Sequence, residues 1–477
     1  MNKSIIAILL LINHLIFAQN KDENLDFIRR TFIYSDENLE GTARYRAMSG
    51  AMGALGGDLS TVGLNPAGGG VFLSSSGVIT LGVTTIGNKL MFGNSRSDIQ
   101  SKLNLNQKGL ALVFNNKGQD VSFKKWVITA HYTRSALLDS RIYFPNNEEI
   151  ILKHYGGGDC FAGYRDVSTG STNRFNLALS TNYRNKLYMG AGINFYNLSH
   201  DKIVAWYAYD KQADEIITFS ANDRPYNESG SGFSVNVGAI YKPTQEVSLG
   251  LACHSPTWWS EIRNNYIFND VQDKPVAECG KPPCISLDQG RYFRYNLNTP
   301  GKLVFSGAYI FGKLGVISLD YTYKMYGSTR LNSSTILGHY DSENAYLKAF
   351  MRNTSQFRIG GEYRLNRWRF RTGYRYEQSP FKSQQRTVID ASNQKKTIGY
   401  VPFGRLNGVS LGLGYNWGRF FADLSCDYTY HSRDHLTKKG QYIKRYERWG
   451  EVNLNGEYYG KASRSQNNFL LTLGMYF

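Results

Sequence analysis

From about residue 76 to the end of the chain, one pattern repeats: a segment of about ten residues alternates apolar with small or polar side chains, turns, and returns. The clearest pair is 357–365 with 368–376, where one face is apolar and aromatic and the other carries five Arg and one Glu. Such alternation predicts β-strands. In a soluble sandwich the apolar face would point to a core, whereas in a membrane barrel it points to lipid and the charged face lines the lumen.

The lengths of the connections favour the barrel. Further strand pairs joined by short turns are 105–115 with 125–135, 174–184 with 186–197, 232–242 with 246–256, 302–311 with 314–325, and 404–416 with 419–430. Longer connections separate the pairs, at about 136–173, 198–231, 257–301, 326–355, 378–403 and 431–466, with a shorter one at 87–104. Short periplasmic turns and long external loops are typical of outer-membrane barrels. With a first strand near 76–86 and a last at 467–477, the sequence predicts an all-β, fourteen-stranded antiparallel transmembrane barrel over 76–477.

Composition agrees with this class. The mean hydropathy is −0.40, and no apolar run of about 18 residues follows the N-terminal region, which excludes a helical membrane protein. Barrel strands average out in hydropathy because they alternate. The net charge is +17, but Lys and Arg are spread along the chain rather than gathered in a stripe, so the sequence does not predict nucleic-acid binding. Outer-membrane lipid and lipopolysaccharide are the expected acidic partners.

The N-terminus predicts export. Lys3 precedes an apolar stretch from Ile5 to Phe17 that ends at Ala18, before a polar segment. These are the parts of a secretory signal peptide, and 13 apolar residues are too few to span a bilayer. We therefore predict a signal peptide at 1–18 and an N-terminal extension with an internal plug, or hatch, at 19–75.

The segment from Gly41 to Phe72 is rich in Gly and Ala, nearly uncharged, and lacks strand alternation. It carries more Ala, Met, Leu and Val than a flexible linker does, so it predicts a compact element with tight turns. Within it, the run Ala47–Asp58, Ser60 and the motif Asn65, Pro66, Ala67, Gly68 resemble the FadL-type outer-membrane transporters of long-chain fatty acids and aromatic hydrocarbons. The resemblance is specific over about 30 residues. Elsewhere it depends on the number of strands and on their alternating pattern.

The resemblance implies how such a barrel works. Hydrophobic ligand would be captured among the external loops, enter an apolar pocket, and leave sideways through a gap made by a kinked strand. We transfer only the hatch motif, Asn65 to Gly68. The third strand, 126–134, contains no Gly or Pro, so the residues themselves predict no kink there.

We therefore predict a passive outer-membrane transporter for hydrophobic small molecules such as long-chain fatty acids or hydrocarbons. The alternative is a hatch-bearing barrel that binds protein partners in a secretion or surface-attachment complex. An enzyme is not predicted, because no Gly-x-Ser-x-Gly elbow adjoins a strand-to-helix turn. No cofactor or metal site is predicted either, and His431 to His435 are expected in a solvated external loop.

Several residues are candidates for contact with ligand or machinery. The lumen-facing candidates are Arg358, Arg364, Arg369, Arg371 and Arg375, because guanidinium matches a ligand carboxylate; the competing interpretation is a wall network with Glu362 and Glu377. Trp258 and Trp259 predict a capture groove, an interfacial girdle, or both. Cys279 and Cys284 could form a loop disulfide. Phe477 ends an alternating apolar strand and resembles the signal read by the barrel-assembly machinery.

Overall fold

The computed structural model describes residues 30–35, 38–92, 94–116, 122–145, 160–210, 215–220, 226–266, 292–332, 340–390, 392, 394–436, 441–445, 448–452 and 459–477. The predicted signal peptide, Cys279 and Cys284 lie outside these residues.

The fold is built from strands. In chain order they are β1 (Ser76–Phe92), β2 (Asn94–Asn115), β3 (Phe123–Leu137), β4 (Ser140–Pro145), β5 (Cys160–Tyr183), β6 (Leu187–Asp210), β7 (Glu215–Ser220), β8 (Tyr226–Tyr241), β9 (Val247–His254), β10 (Trp258–Tyr266), β11 (Tyr292–Asn298), β12 (Lys302–Phe311), β13 (Gly315–Lys324), β14 (Arg330–Asn332), β15 (Thr354–Leu365), β16 (Trp368–Glu377), β17 (Gln384–Ile389), β18 (Lys395–Tyr400), β19 (Leu406–Asn416), β20 (Phe420–Leu436), β21 (Gln441–Arg445), β22 (Arg448–Val452) and β23 (Tyr459–Tyr476).

Helices are few and short. They are α1 (Ala43–Ala47), α2 (Leu59–Leu64), α3 (Asp341–Phe350) and two 3₁₀ turns, η1 (Pro66–Val71) and η2 (Tyr326–Ser328); residues 30–35 are also helical. No helix within the described ranges has the length and apolar character needed to cross a bilayer.

Fourteen strands close into an antiparallel barrel. The order of pairing is β1, β2, β3, β5, β6, β8, β9, β12, β13, β15, β16, β19, β20 and β23. The last strand then pairs with the first, from Ser76 opposite Tyr476 to Met91 opposite Lys461. The predicted fourteen-stranded barrel is confirmed.

The polarity is that of a membrane barrel. On β15 and β16, the outward-facing Phe357, Tyr363 and Phe370 are about half exposed, at 50%, 53% and 45%. The inward-facing Arg371 and Arg375 are buried, at 6% and 4%. A surface of exposed aromatic and aliphatic side chains around polar inner faces requires lipid outside.

The expected external connection at 87–104 is wrong. β1 continues to Phe92 and β2 begins at Asn94, so the two strands form a long hairpin. The regular apolar alternation is lost over this stretch although the hydrogen-bond ladder continues. The other external connections likewise contain β4, β7, β10, β11, β14, β17, β18, β21, β22 and α3.

Candidate functional site

The lumen is filled by residues 38–75, which we call the hatch segment. Side chains capping its turns shape it: Thr42 accepts a hydrogen bond from Tyr45 N, and Asp58 accepts one from Ser60 N. Asn65 caps η1 by accepting one from Ala67 N. Short polar side chains at these positions satisfy amide groups that a short helix leaves unpaired.

The hatch segment contacts strands on all sides of the barrel, which places it inside. Hydrogen bonds join Ala43 to Thr472 on β23, Met52 to Asp320 on β13, Ala54 to Ser248 on β9, Ser60 to Gln107 on β2, and Pro66 to Ser180 on β5; their lengths lie between 2.6 and 3.0 Å. Met48, Met52 and Ala67 are fully buried.

The motif predicted from the resemblance fastens the hatch to the wall. Asn65 Nδ2 donates to the carbonyl of Gly53 at 2.8 Å and to that of Ala239 on β8 at 3.2 Å. The carbonyl of Pro66 accepts from Ser180 Oγ at 2.7 Å. A side chain at Gly68 would meet Thr61 Oγ1 at 2.9 Å. Each position of the motif therefore has a local packing role in the structure.

Inward-facing glycines of the wall form a seat for the hatch. A Cβ atom at any of six positions on six strands would lie within 2.9 Å of a hatch atom: Gly190, Gly238, Gly250, Gly360, Gly373 and Gly412. Five of the six face hatch backbone or the Asn65 side chain that caps η1, and the sixth meets Ala47 Cβ. The hatch therefore fits only against a wall that lacks side chains at these points.

The variant Gly373→Val should unseat the hatch. Its Cβ would stand 2.5 Å from the carbonyl carbon of Met48, and overpacking of this kind costs about 1–3 kcal/mol. We expect faster proteolysis of the hatch and a lower unfolding midpoint. Gly307→Val is the control, because its Cβ meets nothing within 4 Å. Equal rates of hatch proteolysis and equal unfolding midpoints in the two variants would contradict the close packing of the hatch against these glycines.

Buried ion pairs also tie the hatch to the wall. Arg46, 2% exposed, donates from Nε and Nη2 to Asp427 on β20 at 2.9 and 2.8 Å. Its Nη1 lies 3.4 Å from Glu40. Burial raises the pKa of the Glu40 carboxyl to about 7, although the neighbouring Arg46 guanidinium lowers it.

The five candidate arginines fall into two groups. Arg364, Arg369 and Arg371 lie toward the turn that joins β15 to β16, whereas Arg358 and Arg375 lie nearer the external end. Arg371 bridges Glu362 at 2.7 Å and Asp423 at 2.5 Å, and Arg364 donates to Glu362 at 2.8 Å.

The hatch takes part in this wall network as well, since Arg44 donates to Glu362 at 3.2 Å. Arg358 donates to Gln356 on its own strand, and Glu377 pairs with Lys324 at 2.6 Å. Much of the cluster is therefore a wall network. No sequence signal could have identified Arg44 as a member.

The external mouth is closed by residues 30–35. Arg30 pairs at 2.7 Å with Glu228, which is fully buried on β8. The Tyr34 hydroxyl donates to the same carboxylate. The Phe32 ring lies 4.5 Å from Phe403 and 5.3 Å from Phe381, both in the connection between β16 and β19.

The two tryptophans point to opposite faces of β10, as neighbouring strand residues do. Trp259 is 2% exposed and packs within the apolar cluster that contains Phe32, with its ring 5.7 Å from that of Tyr196. Trp258 is half-buried, and its ring lies 5.0 Å from that of the exposed Phe233. Trp259 therefore belongs to the mouth and Trp258 to the outer surface.

A cavity of about 120 Å³ lies beside Phe32 at the mouth. Ile33, Leu138 and Ile142 form apolar parts of its lining, and His431 and His435 line its polar side. The expectation that these histidines belong to a solvated loop is wrong, because both lie on β20 and His435 is buried. No group able to hold a metal ion occurs among the described residues.

The wall is interrupted at its third strand. β3 pairs with β2 only between Gln107–Asn115 and Lys125–Thr133. After a break at residues 138–139 the chain continues as β4, which pairs with β5. Among the described strands, residues 94–106 of β2 therefore pair on one edge only, with β1.

The second half of this strand turns inward. Arg433 on β20 donates to Asn88 on β1 at 2.7 Å and to Ser140 on β4 at 3.2 Å, which brings β4 against the inner faces of both strands. The free edge of β2 is left open to the surroundings, with Ile99 at 71% and Leu103 at 78% exposure.

Two side-chain contacts bridge the resulting gap. Lys102 Nζ lies 2.6 Å from Asp139, and Arg134 donates to Asn104. The sequence predicted no kink here because it has no Gly or Pro. Register shifts between Phe123 and Lys125 and between Arg134 and Ala136 change the path of the strand instead.

A closed barrel with an aromatic outer surface, a lumen filled by its own N-terminal segment and an interrupted wall strand defines a plugged barrel of the outer membrane. Residues 31–470 match the family model described as outer membrane protein transport protein (OMPP1/FadL/TodX). The chain belongs to this family, whose members are transport channels, and it is a multi-pass β-barrel of the outer membrane.

Solved structures share the fold. A Pseudomonas aeruginosa FadL homologue superposes with a TM-score of 0.57 at 15% identity, covering 92% of this chain and 99% of that one. The Pseudomonas putida toluene transporter TodX superposes with a TM-score of 0.52 at 14% identity, covering 92% and 99%. At these identities the likeness establishes the fold alone. A comparison with curated protein sequences gives no match.

Proposed function

We propose that this protein carries hydrophobic small molecules, such as long-chain fatty acids or hydrocarbons, passively across the outer membrane. We propose further that they leave the lumen sideways through the gap beside β2. The observation that carries the proposal is the unpaired edge of β2 over residues 94–106 together with the inward path of β4. An opening at that place faces lipid, where an apolar solute is soluble.

The external mouth provides the site where the ligand enters. Phe32, Phe381, Phe403 and Trp259 belong to one apolar cluster at the external end, and Phe32 also borders the mouth cavity. Ligand sites are concave and largely apolar with a few polar groups, and this cluster has that character. Transfer would follow the gradient of the ligand itself.

Closing the gap should stop transport of an uncharged hydrocarbon. In a background with the five native cysteines replaced by Ser, Lys102→Cys and Asp139→Cys would be joined by a cleavable bis-maleimide. Because these side chains bridge the gap, uptake of radiolabelled hydrocarbon into cells should fall to the level of cells without the protein. Uptake should return when the linker is cleaved.

The control pair is Phe305→Cys with Tyr321→Cys, which face each other on the paired strands β12 and β13. Joining them should leave uptake unchanged, because these strands are already hydrogen-bonded. Full uptake with the Lys102–Asp139 pair joined would exclude the lateral route. No observation among the described residues favours the alternative role as a protein-binding adaptor.

A further inference from the structure

We propose that a cleft at the periplasmic end of the barrel binds an amphipathic molecule through a single anionic head group. The cleft has a volume of about 240 Å³ and lies between the hatch segment and the wall. Arg364 and Arg369 stand on either side of the turn at 366–367, and Asn416 comes just before the turn at 417–419. These short turns mark the periplasmic end.

Positive charge is in excess at the floor of the cleft. Arg44, Arg364 and Arg371 all donate to Glu362, and Arg371 also reaches Asp423. A third carboxylate of the lining, Asp58, is engaged as the cap of α2. With Arg369, four guanidinium groups face three carboxylates, so at least one positive charge is unbalanced.

Arg369 is the residue without a carboxylate partner among the described residues. Its Nη1 donates to the carbonyls of Asn366 at 2.7 Å and Trp368 at 2.8 Å. The charge of Glu362 attracts its guanidinium without a hydrogen bond between them, and the charges of Arg364, Arg371 and Arg44 repel it. Arg364 is 31% exposed, so both guanidinium groups can meet a molecule that enters from the periplasm. A planar guanidinium pairs well with a carboxylate.

The rest of the lining indicates what the anion is attached to. Leu59 and Phe72 of the hatch face Val78, Tyr415 and Phe421 of the wall. At about 240 Å³ the cleft is slightly smaller than a pocket for a drug-sized ligand. It can therefore admit a head group and the adjoining part of an apolar chain. A simple inorganic anion would leave these apolar side chains unused.

This inference goes beyond the proposed function, because the cleft lies at the end opposite the mouth and its occupation requires no transport. The test is equilibrium binding of laurate to the purified full chain in phosphatidylcholine nanodiscs. Its readout is amide exchange of Gly57 to Leu59, which line the cleft. Dodecanol supplies the chain without the charge, and acetate supplies the charge without the chain.

We expect laurate to protect these amides and both probes to protect them much less. The pair Arg364→Gln with Arg369→Gln should weaken the binding of laurate by about tenfold or more, because the hydrogen bonds from charged groups to its carboxylate are lost. Arg369→Gln alone leaves every partner of Glu362 in place and should lose part of this affinity. If the double variant folds poorly, Arg369→Gln alone provides the test.

The matched control is Arg367→Gln with Arg419→Gln. These exposed arginines lie in the two neighbouring turns and do not line the cleft. Their removal deletes the same charge and should leave laurate affinity unchanged. Equal protection by dodecanol and laurate, or equal loss in the two double variants, would overturn the anion site without bearing on hydrocarbon uptake.

Discussion

The variant Asp427→Ala is expected to lose about 3–5 kcal/mol in the free energy that holds the hatch in the lumen. Asp427 accepts two hydrogen bonds from Arg46 and one from Asn468, at 2.8–2.9 Å, and is 2% exposed. Its removal leaves the Arg46 guanidinium buried with Glu40 alone at 3.4 Å. Breaking one side of a buried pair costs about this much because the remaining charge is uncompensated.

The measurement is the rate of proteolysis within the hatch, together with the midpoint of unfolding. Asp201→Ala, an exposed carboxylate on β6, is the control and should change stability by no more than about 0.5 kcal/mol. The triple variant Glu40→Gln, Arg46→Met and Asp427→Leu should recover much of the loss, because it removes all three charges of the buried cluster. A hatch that stays resistant in Asp427→Ala would show that the pair does not hold it.

The variant Glu228→Ala should open the external mouth. Glu228 is fully buried and receives Arg30 at 2.7 Å, the Tyr34 hydroxyl, and the Tyr295 hydroxyl at 3.4 Å. Without this carboxylate, the buried Arg30 guanidinium would lose its 2.7 Å ion pair, and removing one partner of a buried pair costs about 3–5 kcal/mol. Residues 30–35 can avoid this cost by leaving the mouth, and we expect them to do so.

Trypsin cleavage after Arg30 measures this release. Because about 1.4 kcal/mol corresponds to a factor of ten, the rate should rise by roughly 100-fold or more in Glu228→Ala. Glu261→Ala is the control, since that glutamate is exposed at the same end and its pairs with Arg263 and Arg294 lie on the surface. If the two variants are cleaved at similar rates, Glu228 does not anchor the segment.

The barrel could be derived from the sequence because its signal is local. Each strand carries its own alternation, and a single hairpin such as β15 with β16 already shows which face meets lipid. The signal ended before the strands did. At 87–104 the strands continue, but apolar and polar side chains no longer alternate regularly, and the pattern therefore predicted a loop.

The site could be derived only in part, because its contacts join distant parts of the chain. Periodicity placed Arg371 on the inner face. Its ion-pair network, however, also includes Arg44, which donates to the same Glu362 although 318 residues separate Arg44 from Glu362 in the sequence. The inward turn of β4 likewise depends on a hydrogen bond from Arg433 to Ser140, across 293 residues. Neither contact can be predicted from the local sequence.

The position of the hatch in the chain constrains the order of assembly. The hatch precedes β1, and the wall around it is complete only when β23 pairs with β1. Its η1 turn contacts β5, β6 and β8, whereas α1 contacts β16, β19, β20 and β23. The hatch backbone packs directly against inward glycines of strands from both halves of the barrel, so late insertion into a closed wall would have to form all of these close contacts at once. We therefore expect the N-terminal segment to be in place before the C-terminal strand closes the barrel, so that the rest of the chain folds around its first part.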